Sequence, residues 1–372
     1  MPPAAKREPS RLYRLLRGIH LWLTLTLAVP IVVVSVTGAI LVFGQELESL
    51  FDPGANRVTP GAQTLSHGTI LARVAEQKPD ARVWSLSSAE RPDRAWTMWL
   101  AGGGGVIKVD PYSGKVLKHF RPRDTFDGWV AALHRCWLVD GKWGRVARNS
   151  VGVVTLAVMV QVILGLWVWL VPPQRVQRLA VRRGQPARVL VLRLHNLAGV
   201  VTAAFMLLIA FTGLTMTWHA PTRAVVEALA ASRVTGDGPP RFDDLAPIAD
   251  LDAAIATGTD AVPGGRLQGV RPPAKPGAPA VLHIDVPDRL IGAQVWVGGQ
   301  PPRVLAVRDG RGTSAADWFW RLRYRFHVGN FGWPAQVLWM VMSLMPVAFV
   351  GTGLWLYWRR RRDRRAAPAA AE

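Results

Sequence analysis

Four stretches of the chain contain no Asp, Glu, Lys or Arg: residues 18–45, 149–174, 194–222 and 326–358. Each exceeds the roughly 20 apolar residues that cross a bilayer as a helix, so the pattern predicts transmembrane helices near 20–43, 149–171, 195–218 and 335–358. Between the first and second spans, and again between the third and fourth, the pattern changes to strand-like alternation. Residues 96–100, a Gly102 to Gly105 turn, 106–110, Pro111-Tyr-Ser-Gly114 and 115–117 read as strand, loop, strand, turn, strand. Residues 281–286, 294–297, a Gly298-Gly-Gln-Pro-Pro302 turn and 303–307 read as a worn copy of them. With helices predicted at 65–78 and 244–257, each of the two segments reads as a small α+β unit, and the Pro-, Gly- and Ala-rich insert 232–280 as largely irregular.

Landmarks recur at fixed distances. His20 and Thr37-Gly38 are matched, at one constant spacing, by His195 and Thr212-Gly213. Gly141-Lys-Trp-Gly144 and Gly165-Leu-Trp167 are matched, at a second constant spacing, by Gly329-Asn-Phe-Gly332 and Gly353-Leu-Trp355. Constant offsets of this kind read as an internal duplication. Two spans per half make it a parallel one, with a pseudo-twofold axis along the membrane normal. The expected fold is a four-transmembrane-helix bundle with two α+β units outside the membrane. It divides into 1–44 (N-terminus and first span), 45–148 (first unit and a helix before span two), 149–171, a basic link 172–194 and 195–218. The second half continues with 219–333 (second unit, insert and a helix before span four), 334–358 and a basic tail 359–372.

Charge sets the expected orientation. The chain is 50% hydrophobic and 19% charged, with a net charge of +20. Lys6, Arg7, Arg11, Arg14 and Arg17 precede the first span, six arginines from Arg175 to Arg193 fill the link, and Arg359 to Arg362, Arg364 and Arg365 close the chain. Of the 25 acidic residues, only Glu8, Asp363 and Glu372 lie in these three segments, so both termini are expected in the cytoplasm and the two units outside it. Concentration of the positive charge at span ends points to anionic membrane lipid as its partner, not nucleic acid. The first span is too long for a signal-peptide core and reads as uncleaved. A single cysteine, Cys136, excludes an intrachain disulfide and a Cys-x-x-Cys clip, and no Cys-x-x-Cys-His is present for covalent haem attachment. Many of the 17 Trp lie at span ends and read as interface anchors. No nucleophile elbow, phosphate loop or His-Glu-x-x-His is found.

Several ordered motifs carry a resemblance. Arg14-Leu-Leu-Arg-Gly-Ile-His20, the Val109-Asp-Pro-Tyr-Ser-Gly-Lys-Val116 hairpin, Leu133-His134-Arg135, Leu194-His195 and Phe326-His327 ahead of Gly329 resemble the PepSY-associated transmembrane helix family. Within it the chain looks most like the siderophore-iron reductases of the FoxB type, which implies an inner-membrane dihaem protein of bacterial iron uptake. The second hairpin departs from the pattern, lacking the Asp-Pro-Tyr-Ser-Gly turn.

Histidine near lipid needs a partner. His20 and His195 follow Arg17 and Arg193, at the cytoplasmic ends of their spans; His134 and His327 precede the second and fourth spans, at the outer ends. Facing imidazoles across the axis suit bis-histidine haem b, so two haems are expected, on His20 with His195 and on His134 with His327. The distance from His134 to its Gly-x-x-Gly is seven residues and from His327 two, so their equivalence requires a five-residue gap. His219, read as ending the third helix, is an alternative outer ligand. Arg17 and Arg193, with Arg14, are candidates to pair with inner haem propionates, and Arg135 and Arg325, with Arg323, with outer ones. Gly199, four residues after His195, would make room for a porphyrin, with the small Thr24 as its counterpart. His67, His119 and His283 read as solvated, with a substrate contact by one of them as the alternative. The expected function is transmembrane electron transfer from an unidentified donor, a quinol or a flavin reductase, to a ferric siderophore by resemblance. A regulatory or binding protein of the PepSY type and an iron-chelate transporter are the alternatives. A transporter is disfavoured because no charge lies mid-span, where Pro30 and Pro346 are the only breakers.

Overall fold

The computed structural model describes residues 10–235, 242, 245–287 and 289–366. In chain order it forms α1 (Arg11–Leu41), α2 (Gly44–Phe51), a single turn α3 (Pro53–Asn56) and α4 (His67–Gln77). Strands β1 (Val83–Ser87), β2 (Trp96–Leu100), β3 (Val106–Val109) and β4 (Val116–Phe120) follow, then α5 (Phe126–Cys136) and α6 (Gly144–Leu170). A closely similar order recurs as α7 (Ala187–Thr217), α8 (His219–Leu229), α9 (Leu251–Asp260), β5 (Arg266–Arg271), β6 (Ala280–Asp285), β7 (Ala293–Gly298), β8 (Arg303–Arg308), α10 (Ala315–Val328) and α11 (Trp333–Ala366).

Two compact units result: residues up to 43 with 130–222 and from 323 on, and residues 44–129 with 223–322. The first is the helical bundle. Its long helices Arg11–Leu41, Gly141–Leu170, Ala187–Thr217 and Trp333–Asp363 are apolar enough to cross a membrane. They begin or end beyond the charge-free stretches, because each helix continues through exposed flanking arginines such as Arg14, Arg17, Arg145 and Arg188. At about 1.5 Å per residue, α1 is longer than a bilayer core of about 30 Å. Its first turn is capped by Ser10, whose Oγ accepts from Tyr13 N at 3.2 Å. Pro30 and Pro346 lie inside continuous helices.

Within the bundle α1 packs against α6 and α11, and α7 packs against the same two, so α1 and α7 occupy opposite corners. Small and hydroxylated side chains fill the interior: Ser35, Thr37 and Ala39 on α1, and Thr202, Ala203, Ala210, Thr212 and Thr215 on α7 are buried. Thr37 and Thr212 return their hydroxyls to Val33 O at 2.6 Å and Leu208 O at 2.7 Å, so they sit in an apolar interior without an unmet donor. Large apolar side chains such as Val29 and Val201 face outward, 73% and 66% exposed, as lipid-facing positions permit.

In the second unit the two expected α+β units share a single sheet. All eight strands form one antiparallel sheet in the order β4-β3-β2-β1-β5-β6-β7-β8. The seam is β1 on β5, pairing Leu86 with Val270 and Ser87 with Gly269. Neither strand was read from the sequence. Gly269 interrupts β5 where the pattern otherwise suggests loop. One sheet face carries Leu86, Met98, Ile107, Val270, Leu282, Ile284 and Val295, packed with Ile70 and Val74 of α4 and Ala254 of α9. Asp252 of α9 ties the two helices together, its carboxylate accepting from Ser66 Oγ at 2.5 Å and Gly68 N at 2.8 Å. The insert 232–280 contains α9 and β5, and the strand is the element not expected there. The helix expected at 244–257 lies at Leu251–Asp260, and residues 236–241, 243 and 244 fall outside the described residues, as do Lys6, Arg7 and the tail from 367.

Candidate functional site

His134 lies near the C-terminal end of α5 and His327 near that of α10. Their ring centres are 6.3 Å apart, with the planes inclined at 46°. His134 Nδ1 is 3.0 Å from Val34 O and 3.0 Å from Thr37 Oγ1. His327 Nδ1 is 3.1 Å from Ile209 O and 3.4 Å from Thr212 Oγ1. The two rings therefore use the same pair of positions in the two halves, separated by the spacing that relates His20 to His195. A carbonyl oxygen only accepts, so Nδ1 carries the hydrogen in both rings and Nε2 keeps its lone pair. Among the described residues no hydrogen bond engages either Nε2.

Glycine makes the seats. A Cβ at Gly38 would stand 3.2 Å from His134 Cε1, and one at Gly213 would stand 3.0 Å from His327 Cε1. The Thr-Gly pair, legible in the sequence only as a mark of repetition, thus receives each ring: the threonine bonds Nδ1 and the glycine leaves space beside Cε1. The five-residue gap falls in the link after α5. Gly329, at φ 71°, follows α10 directly, with its N–H donating to Arg325 O at 2.8 Å. After α5 the chain instead passes through Trp137 and Leu138, both at positive φ, before reaching Gly141.

His20 and His195 sit on α1 and α7, at opposite corners of the bundle. His195 Nδ1 is 2.7 Å from Thr352 Oγ1, whose own hydroxyl donates to Ala348 O at 2.8 Å. Here too the ring nitrogen is the donor. The His195 ring meets Phe349 edge-on, with centres 5.0 Å apart. His20 differs: its Nδ1 is buried without a partner. Gln161 Nε2 donates to His20 O at 2.9 Å and to Thr24 Oγ1, leaving Gln161 Oε1 buried and unpaired on the same helix face as Gly165. Gly165 approaches the ring closely, its Cβ position lying 3.3 Å from His20 Cε1. Gly199, expected to make room beside His195, faces Phe349 at 4.0 Å.

The arginines are partly committed elsewhere. Arg193 donates to Ala180 O, Arg135 to Ala131 O at 3.2 Å and Arg325 to Asn330 O at 3.2 Å, while Arg17 is exposed. His219 does not end the third helix. That helix stops at Thr217, Trp218 leaves helical geometry at φ −116° and ψ 68°, and His219 opens α8. His67 is not simply solvated, with Nε2 3.1 Å from Ser88 Oγ and its ring against Trp96 at 4.6 Å. His283 Nε2 is buried. His119 is exposed and bonds Gly104 O at 2.8 Å. Among the described residues no group of three or more His, Cys, Asp or Glu is placed to hold a metal, so the donor sets are imidazoles taken two at a time.

Residues 17–360 match the family model described as PepSY-associated TM region. The chain belongs to this family. The match takes in the whole sheet and the parts of the four long helices that hold or face the histidines, so PepSY-associated membership extends to every element of the candidate site. No curated protein matches the chain significantly. As a PepSY-associated protein with four such helices it is a multi-pass membrane protein.

Proposed function

We propose that this PepSY-associated protein is a transmembrane electron-transfer oxidoreductase with two b-type haems, one held by His134 and His327 and the other by His20 and His195. The single observation that carries the reading is the pairing of His134 with His327 at 6.3 Å, each with Nδ1 bonded and Nε2 uncommitted. A ring separation of about 6 Å is what two imidazoles would show if they shared one iron through their Nε2 atoms. The donor chemistry therefore fits a bis-histidine iron. A buried, unpartnered His20 Nδ1 and the missing side chain at Gly165 support the second pair.

The recurrence of the Thr-Gly seat, the repeated element order and the symmetric strand order support an internal duplication with a parallel twofold arrangement. Haem would supply reversible one-electron chemistry at its iron. The chain's residues do the rest. Val34 O and Ile209 O orient the rings and, by accepting from Nδ1, make Nε2 the better donor. Thr352 does the same for His195. Apolar helix faces exclude water, and Arg17, Arg193, Arg135 and Arg325 are the cations nearest in sequence for propionates.

The placement we infer is the bacterial inner membrane with both termini cytoplasmic, following the basic flanks. Electrons would enter from a quinol or a flavin reductase at the His20 and His195 end and leave to a ferric siderophore at the other, reducing Fe(III) to Fe(II) so that oxygen-rich chelators release it. The test is reoxidation of dithionite-reduced protein by ferric chelate, followed in the haem absorbance bands. His327→Ala should leave one haem spectrum and lose most of the rate. Full-rate reoxidation in that variant would overturn the assignment of the outer centre.

A further inference from the structure

The sheet face opposite α4 and α9 carries a row of polar residues in direct cross-strand register. Starting at the outer strand it runs Lys118, Lys108, Thr97, Ser87, Gly269, His283, Gln294, Arg308. Val270, Leu282 and Val295 point into the core, so Gly269, Arg271, His283 and Gln294 point the other way.

The two halves of the row differ in charge balance. In the first half, α2 and the residue after it supply acids: Glu48 pairs with Lys108 at 3.4 Å, and Asp52 pairs with Lys118. In the second half, α8 follows α7 as α2 follows α1, but its one carboxylate is spent within its own segment. Glu227 takes Arg223 Nε at 3.0 Å and Val234 N at 2.9 Å. Arg271 is left without a carboxylate among the described residues. Its guanidinium lies over Trp84 at 4.3 Å, which fixes one face of the group and leaves its N–H edges free. Around it Ser87 and Gln294 make no side-chain hydrogen bond among the described residues, and His283 Nε2 is buried and unpaired. Gly269 presents no side chain between Ser87 and His283, so the strip has a flat floor. Trp296, under the Arg308 guanidinium at 5.4 Å, closes the other side. Arg271, held on the exposed indole of Trp84, with the unspent side chains of Ser87 and Gln294 beside it, forms a receptor for negative charge, while the half-buried His283 and the buried Trp296 shape its floor. Arg271 also acts on His283, whose pKa is pushed down to about 4 by burial first and by Arg271 second.

We propose that this strip, centred on Arg271, His283 and Gln294, binds an anionic, oxygen-rich chelate of a trivalent metal, with Arg271 as its charge anchor. The width from Gly269 to Gln294 is two strand spacings, about 10 Å, enough for one compact complex. This deepens the proposed function by naming the charge class of its substrate, catecholate- or carboxylate-armed chelates in preference to neutral hydroxamates, and it rests on that reading only for the metal.

The experiment uses full-length protein in nanodiscs and calorimetric titration with two gallium(III) complexes, a trianionic hexadentate tris(catecholamide) and a neutral tris(hydroxamate). Gallium(III) is not reduced, so binding is read apart from electron transfer. The wild-type chain should prefer the trianionic complex at least tenfold. Arg271→Gln should weaken that complex about ten- to a hundredfold, the loss of a hydrogen bond to a charged group, and leave the neutral complex unchanged. Equal affinity of the wild-type chain for both complexes, or undiminished binding by a folded Arg271→Gln variant, overturns the proposal. If Arg271→Gln does not fold, the wild-type preference alone decides. Gallium binding by a chain that takes up no haem would sink the proposed function and leave this inference standing; a dihaem protein blind to chelate charge does the reverse.

Discussion

Thr37 Oγ1 lies 3.0 Å from His134 Nδ1, and its hydroxyl hydrogen is directed to Val33 O at 2.6 Å, so the threonine receives the ring's hydrogen. The seat formed by Thr212 for His327 repeats this with a longer contact of 3.4 Å. Each ring also has a backbone carbonyl, so the threonine tunes an orientation that the main chain already sets.

Thr37→Val keeps the shape of the seat and removes one of the two acceptors. The expected outcome is a weaker hold on one haem, by about tenfold, with a raised midpoint potential for that centre and no change in the other. Thr212→Val should act on the same centre and more mildly, given its longer contact. Spectroelectrochemical titration reads both, and a shift in the opposite centre would separate Thr37 from the pair.

Gly213→Ala and Gly199→Ala make a contrast. A Cβ at position 213 would sit 3.0 Å from His327 Cε1, whereas one at 199 would sit 4.0 Å from Phe349. Gly213→Ala should cost about 1–3 kcal/mol or displace the ring and lower haem content. Gly199→Ala should be neutral or gain up to about 1 kcal/mol of helix propensity. Thermal unfolding with haem quantification checks both, and equal losses in the two variants would remove the special role of position 213.

The spans and the pairing of His134 with His327 were legible because lipid imposes a composition on the chain and repetition marks equivalent positions. Strands β2, β3, β4, β6, β7 and β8 were legible from alternation and turn residues. The seam strands were not, because Val83–Ser87 and Arg266–Arg271 gain their stability from pairing with each other, one from each half of the chain, which no local pattern encodes. Thr352, Gln161 and Phe349 were missed for a related reason. Their contacts with His195 and His20 come from neighbouring helices, and at positions 161 and 349 the two halves differ, so repetition gave no signal.

His283 gives a pH prediction for the sheet unit. Its pKa is lowered from 6.5 to about 4 by burial and by Arg271. Below about 6.5 the unfolded chain takes up a proton that the folded chain refuses until about 4. The associated stability is therefore full above pH 6.5 and lost as the pH falls from there towards 4. Between pH 7 and 5 this is worth up to about 2 kcal/mol. His283→Gln should flatten that part of the profile in unfolding followed by circular dichroism, and parallel profiles for variant and wild type would place the acid sensitivity elsewhere.

The most direct measurement is the haem content of the purified chain, expressed with ample haem and assayed as the pyridine haemochrome. Two non-covalent b-type haems per chain are expected, falling to one in His20→Ala or His195→Ala with the same centre lost from both variants. A content near zero in the folded wild-type protein, or loss of different centres from His20→Ala and His195→Ala, would contradict the paired-imidazole reading.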